Sequence, residues 1–248
     1  MDDLALTGPT LRVRIPRDED AAALFVQASD PEVTRWFSWG PYASEAEARA
    51  YLARRAPQRE RGQHLDLVVE HLEAGPLGIS GLGELARRDR RAEIGSWLGR
   101  AWWGTGANQE AKALMCHLAL ALLGLDRVGA YSNVEHARSQ RALERIGFRR
   151  EGVLRGYHRH GDRALDVVVF GLLRADWEAG GLPSVPVTIT GAPPPAFVVG
   201  GAAALRRCAR RSTPWPWASA GERGTPARAP GSGRAGSPSG RCGWGRPS

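Results

Sequence analysis

The segment from Ala92 to Leu125 constrains this chain more than any other. Ala92-Glu93-Ile94-Gly95-Ser96-Trp97-Leu98 reads as a strand, and it runs through a loop with glycines at 104 and 106 straight into a long apolar helix, about Ala107 to Leu123. A further strand, about Arg127 to Ser132, follows at once. Strand, glycine loop, helix and strand in that order belong to an α/β sheet with helices packed on it. The flanking sequence fits. Leu11-Arg12-Val13-Arg14-Ile15 alternates like an exposed or edge strand. Asp18 or Asp20 can cap a helix with Leu24 and Phe25 on its inner face, Asp30-Pro31-Glu32 starts another, and Ser44 begins a third that runs to about Arg55. Strands at 65–72 and 77–85 flank the hairpin turn Glu73-Ala74-Gly75-Pro76, and a helix from about His136 to Ile146 stops at Gly147. Two last strands, 149–157 and 165–173, bracket His160-Gly161-Asp162. The fold class expected is therefore one mixed α/β domain.

Charge and composition change near Gly180. Nine of the 34 bases and one of the 26 acids lie beyond it, which leaves 25 of each in residues 1–178, so the net charge of +8 belongs to the C-terminal stretch. A neutral body excludes a basic nucleic-acid-binding face on the folded domain. Eleven of the 17 prolines also lie beyond Gly180, with little apolar periodicity after about Val199. The division expected is a lead-in at 1–10, a domain at 11–178, and a disordered Pro/Gly/Arg-rich tail at 179–248. Gly, Ala, Pro and Arg dominate that tail, as in a frameshifted or read-through end of a GC-rich gene; a basic anion-binding tail is the rival reading. The acidic Met1-Asp2-Asp3 is unlike a signal peptide, and no apolar stretch reaches membrane-spanning length, so a cytoplasmic protein without membrane contact is expected. Cys116, Cys208 and Cys242 offer neither metal-type spacing nor a disulfide framework. Cys116, among Leu114, Met115 and Leu118, reads as a buried small hydrophobe.

Gly104 and Gly106 leave backbone amides uncovered at a helix N-terminus, where amides and dipole together suit a phosphate-type anion. A P-loop would need Gly-Lys-Ser/Thr. A dinucleotide fingerprint would need a third small residue where Gln109 stands, and an acid after the next strand rather than Asp126 before it. The histidines at 158 and 160 share a strand face, but no third ligand accompanies them, and no metal is expected.

The sequence resembles the GNAT superfamily of N-acetyltransferases, in particular its RimJ/RimL-type branch, over roughly residues 10–178. The resemblance rests on Ala92-Glu93-Ile94-Gly95-x-Trp97-Leu98, on Trp103-Gly104-Thr105-Gly106 followed by Glu110-Ala111, and on Leu125-Asp126-Arg127-Val128. Ser139 with Leu143-Glu144-Arg145-Ile146-Gly147-Phe148, Glu151 to Arg155, and Asp166 continue it, and Asp30 to Thr34 and Glu45 to Ala48 match upstream. It implies a GNAT fold and acetyl-CoA as cofactor, with the pyrophosphate on Trp103, Gly104, Thr105, Gly106, Ala107 and Asn108. The pantetheine would pair with the strand ending at Trp97, Leu98 and Gly99, near His136 and Ser139. Asn108 stands where the superfamily usually has Ala or Gly, in a Gly-Thr-Gly-x-Asn-x-Glu-Ala-Lys variant, and His136 stands where the family has asparagine.

Acetyl transfer to an amine needs a base, donors for an oxyanion and help for the leaving thiolate. By family analogy the backbone amide near Leu98 is the oxyanion donor. Leu143 stands in the region where many relatives have a tyrosine acid, and Ser139 is the candidate to assist the thiolate. His158, which aligns with a family glutamate, and Glu93 compete as base, with a water relay open. Trp36, Trp39 and Tyr42 would wall the acceptor groove. The partners implied are a primary-amine acceptor, a protein N-terminus first and a small molecule second, and at most a second copy of the chain in a homodimer. A CoA-binding module without turnover is the alternative from another class.

Overall fold

The computed structural model describes residues 4–180 and 185–199. One mixed sheet of nine strands runs through them. The strands are β1 (Ala5–Thr7), β2 (Leu11–Arg14), β3 (Leu65–His71), β4 (Gly75–Ala86), β5 (Arg91–Leu98), β6 (Arg127–Asn133), β7 (Arg149–His160), β8 (Arg163–Leu173) and β9 (Thr188–Thr190). Their order is β7-β8-β6-β5-β4-β3-β2-β1-β9. Every neighbouring pair is antiparallel except β5 with β6. Helices α1 (Asp20–Ala28), α2 (Pro31–Thr34), α3 (Glu45–Glu60), α4 (Ala107–Cys116), α5 (Ala137–Arg145) and α6 (Arg174–Glu178) complete the order.

Side-chain alternation on the strands separates two cores. On β3, Leu65, Leu67 and Val69 turn to the face covered by α4, with Ala111, Leu114 and Met115. Val68, with Ile79 of β4, turns to the other face, against Ala21 and Leu24 of α1 and Ala48 and Leu52 of α3. Cys116 is a free, buried thiol. The long helix holds α-geometry only to Cys116 and continues to Leu122 with π-helical bonding. Glu110 of α4 accepts from the amides of Thr10 and Leu11, both at 2.9 Å, and so pins the β1–β2 turn.

Three expectations are corrected. β2 is an interior strand, because β1 pairs with it from residues expected to be a lead-in. Arg14 on β2 is 6% exposed and satisfied by Asp20 (2.8 and 2.7 Å) and Glu70 (3.1 and 3.2 Å). Asp20 is thereby an ion-pair partner within the first turn of α1, not its cap, which is Glu19. Residues 185–199, expected to be disordered tail, add β9 to the outside of β1 and bury Phe197. Arg87 donates to the carbonyls of Ala196 and Val198, and the Val199 amide donates to Leu123 O. The apolar pairs Val187/Ile189 and Val198/Val199, sparse but well placed, pack against the main core. The remainder of the expected tail, 181–184 and 200–248, lies outside the described residues.

Candidate active site

β5 and β6 pair in parallel at Arg91–Arg127, Ala92–Val128 and Glu93–Gly129 and then part. Each keeps its outer neighbour: β5 stays with β4 up to Leu98–Gly78, and β6 stays with β8 up to Asn133–Val167. Gly99 donates its amide to Leu77 O at 2.8 Å. In an antiparallel ladder alternate residues face the same neighbour. Gly95 and Trp97 therefore address β4, while Ile94, Ser96 and Leu98 turn their amides into the gap. The Leu98 carbonyl on that side is taken by the Trp103 indole N–H at 2.9 Å.

The gap opens into a cavity of about 430 Å³. Trp36, Trp39, Tyr131, His136 and Ser139 line it together with Tyr157, His158 and His160 of β7. Trp36 stacks on His136 at 5.0 Å, which ties the segment after α2 to the start of α5. Tyr42 is not brought to the cavity; it is half-buried against Trp39 and the second core. Trp97 also belongs to that second core, its ring 5.6 Å from Trp39.

The glycine loop leads from β5 to the N-terminus of α4. Gly104 and Gly106 have φ of +80° and +94°, the left-handed region that favours glycine, and an added Cβ at either would meet nothing within 4 Å. The amides of Gln109 and Glu110 turn back to Gly106 O, while those of Gly104, Thr105, Gly106 and Asn108 have no acceptor among the described residues, so the loop presents donors to open space. Thr105 Oγ1 bonds the Trp102 carbonyl and receives the Ala107 amide, which sets the turn. Arg138 of α5 lies over the Trp103 ring at 3.3 Å from its centroid and brings a cation to the loop's edge.

The polar groups of the gap divide by face. On the α4 face Lys112, 5% exposed, donates to Ser96 Oγ, and Ser96 Oγ bonds Asn108 Oδ1 at 3.3 Å. Burial pulls the Lys112 ammonium down to about 8. Continuing the β5–β6 register puts Ser132 level with Ser96 across the gap, and the buried Ser132 Oγ has no partner among the described residues. On the opposite face Glu93 lies over Gly129 with Oε2 buried and unpartnered among the described residues. Burial, and then the charge of Glu84, push the Glu93 carboxyl up to about 7. Glu84 reaches this face from a bulge, with φ +50°, and accepts from the Tyr131 hydroxyl at 3.5 Å; Tyr157 donates to Tyr131 at 3.2 Å. Burial, helped by His160, lowers His158, and burial with Arg138 and Arg35 lowers His136 to about 4, so both imidazoles are neutral at pH 7.

A donor-lined loop, a strand edge stripped of its partner and an orphaned hydroxyl suit a long ligand with a phosphate at one end and amide-like groups along its length. The comparisons agree. Residues 10–149 match the family model described as "Acetyltransferase (GNAT) domain". The chain belongs to the GNAT acetyltransferase family. Among the GNAT relatives, "Uncharacterized N-acetyltransferase p20" of Bacillus licheniformis is 31% identical over 64% of this chain and 90% of its own length. "Putative ribosomal N-acetyltransferase YdaF" of Bacillus subtilis (strain 168) is 30% identical over 68% of this chain and 93% of its own. In fold, the chain matches RimJ of Mycobacterium smegmatis in complex with CoA-disulfide, with a TM-score of 0.64 at 20% identity, covering 73% of this chain and 96% of that one. As a GNAT enzyme the protein is an acetyl-CoA-dependent N-acetyltransferase with a mixed α/β fold.

Among the residues singled out from the sequence, Trp36, Trp39, His136, Ser139 and His158 come together at the cavity. Glu93 sits at the last paired rung, beside the cavity without lining it. Trp103 to Asn108 form the adjacent loop, and Leu98 and Gly99 end the free strand edge. Lys112, Ser132, Glu84, Tyr131 and Arg138 were not singled out as site residues. Lys112 had a signal, a lone cation on an apolar helical face; Ser132, Glu84 and Tyr131 had none, because strand pairing brings them in, and Arg138 reaches the loop from α5 through its contact with Trp103.

Proposed function

We propose that the protein acetylates an α-amine, a protein N-terminus before a small-molecule amine. The observation that carries the reading is the parting of β5 from β6 beside the glycine loop, with carboxylates and a neutral histidine on one face of the gap. Bound acetyl-CoA supplies the activated acetyl group. The amides around Gly104 to Asn108 hold its pyrophosphate, with Arg138 at the edge, and the Ser96 and Leu98 amides hold the pantetheine and thioester oxygens. The amine enters between Trp36, Trp39 and the Tyr157–His160 end of β7. Glu84 and Glu93 attract its ammonium form, and His158, neutral at pH 7, takes its proton directly. Ser139, on the first turn of α5, donates toward the sulfur.

An α-amine with a pKa of about 7.7–8.0 gives up its proton far more readily than a lysine at about 10.4, which suits a site whose His158 is lowered by burial and whose Glu93 carboxyl sits at about 7. The name printed for YdaF, a ribosomal N-acetyltransferase, supports a protein acceptor. The full chain is to be incubated with acetyl-CoA and two versions of one peptide, with thiol release as readout. The peptide with a free N-terminus is expected to be acetylated, and the version with a blocked N-terminus and a free lysine is not. Turnover of small amines alone would transfer the assignment to a small-molecule acceptor.

A further inference from the structure

The Lys112 ammonium has no assigned task, and its surroundings are unusual. It is 5% exposed, its one partner among the described residues is the Ser96 hydroxyl, and it lines the cavity where the strands part. An ammonium has three protons to donate. A buried cation served by a single neutral hydroxyl is costly unless an anion or a set of acceptors visits it. The same spot holds a second group in that condition: Ser132 Oγ, buried, lining the same cavity and unpartnered among the described residues. Ser96 and Ser132 fall at one level on the two parting strands and point to the α4 face, so the gap is floored by two hydroxyls and a cation.

We propose that Lys112, held by Ser96 and facing Ser132, is the charge partner of the coenzyme A sulfur as it leaves. The inference rests on the reading that places acetyl-CoA in this gap. The Ser96 amide points into the gap while the Ser96 side chain holds Lys112, so the ammonium lies one side chain away from the backbone that would hold the thioester. In the transfer the amine nitrogen bonds to the acyl carbon, the carbon–sulfur bond breaks with its electron pair on sulfur, and the amine's proton goes to the base. Lys112 keeps its proton and offsets the new negative charge. Ser139, on the α5 wall, contributes a hydrogen bond but no charge. Burial holds the ammonium at about 8, so it is still cationic at pH 7 and gains from an anionic neighbour.

The test needs no acceptor. The full chain is saturated with reduced coenzyme A, and ionisation of the bound thiol is followed by the ultraviolet absorbance of the thiolate as pH is raised. The bound thiol is expected to ionise about 1–3 pH units below free coenzyme A, as beside any close cation. Lys112→Met and Lys112→Gln should abolish that difference while binding acetyl-CoA within about tenfold of the parent. Lys112→Gln keeps a donor for Ser96 without the charge, which separates charge from packing. The ligand-free Lys112→Met protein should melt no lower than the parent, because a costly buried cation has been replaced by an apolar chain of similar length. Thiol ionisation unchanged in both variants, or a lowered melting temperature with ionisation intact, would make Lys112 a structural residue and overturn the proposal. A parent that binds no coenzyme A would overturn the cofactor placement as well, and so is told apart from failure of this inference alone.

Discussion

Two carboxylates show how the same residue type is put to opposite uses. Asp20 is 2% exposed and lies in a bidentate pair with Arg14, which also reaches Glu70. Removing one member leaves a buried charge without compensation, so Asp20→Ala should lower the unfolding free energy by about 3–5 kcal/mol in a denaturant titration; a loss below about 1 kcal/mol would show that solvent reaches Arg14. Glu93 has only a distant Arg91, 3.9 Å from one oxygen, and burial raises its carboxyl from 4.5 to about 7. Its basic form gains as pH rises through about 7, so kcat/KM should rise across that range. Glu93→Gln should flatten the rise and raise the acceptor's KM more than it lowers kcat, since Glu93 attracts the ammonium while His158 takes the proton; a rise that persists in the variant would assign it to another group. The sign for stability is opposite. Between pH 4.5 and about 7 the folded state holds a proton that the unfolded chain has released, so stability falls as pH rises, and Glu93→Gln removes that loss. Sequence could name His158, Ser139 and Glu93 through resemblance, but not Ser132 or Glu84. Nothing local marks those two: one needs the β5–β6 register, the other a bulge on β4.

At the scale of elements, periodic segments were the legible ones. β3 to β8 and the helices α4 and α5 lie where alternation, caps and Gly147 put them, within a few residues, while α3 starts where expected but runs past Arg55 and through Pro57 to Glu60. β1 and β9 were not legible, because three residues of strand carry no period and owe their form to the neighbour they pair with. The alternating basic strand misled for a related reason: Arg12 and Arg14 suggest solvent, yet β1 covers one edge and Asp20 and Glu70 take the Arg14 charge. Glu110 joins helix to hairpin by accepting two backbone amides and the Thr10 hydroxyl. Glu110→Ala leaves those amides without their acceptor and should cost about 1–3 kcal/mol in chemical denaturation. An unchanged midpoint would mean that water replaces the carboxylate at no cost.

For the whole molecule, the composition break at Gly180 was real but did not coincide with the end of the fold. The chain returns after it to add β9 and to bury Phe197 at 1% exposure. Proline and glycine counts average over such a segment, whereas one well-placed phenylalanine decides whether it docks. Phe197→Ala should lower stability by about 3–5 kcal/mol, as for other buried aromatics, and an unchanged unfolding midpoint would detach residues 185–199 from the domain. The central claim is that the parted strands and the glycine loop hold acetyl-CoA. Calorimetric titration of the full chain with acetyl-CoA tests it most directly, run beside Gly106→Trp with circular dichroism to show that the variant is folded. Saturable binding by the parent is expected, with its loss in the variant, whose side chain fills the open space beside the helix N-terminus. Equal binding by both proteins, or none by the parent, would contradict it.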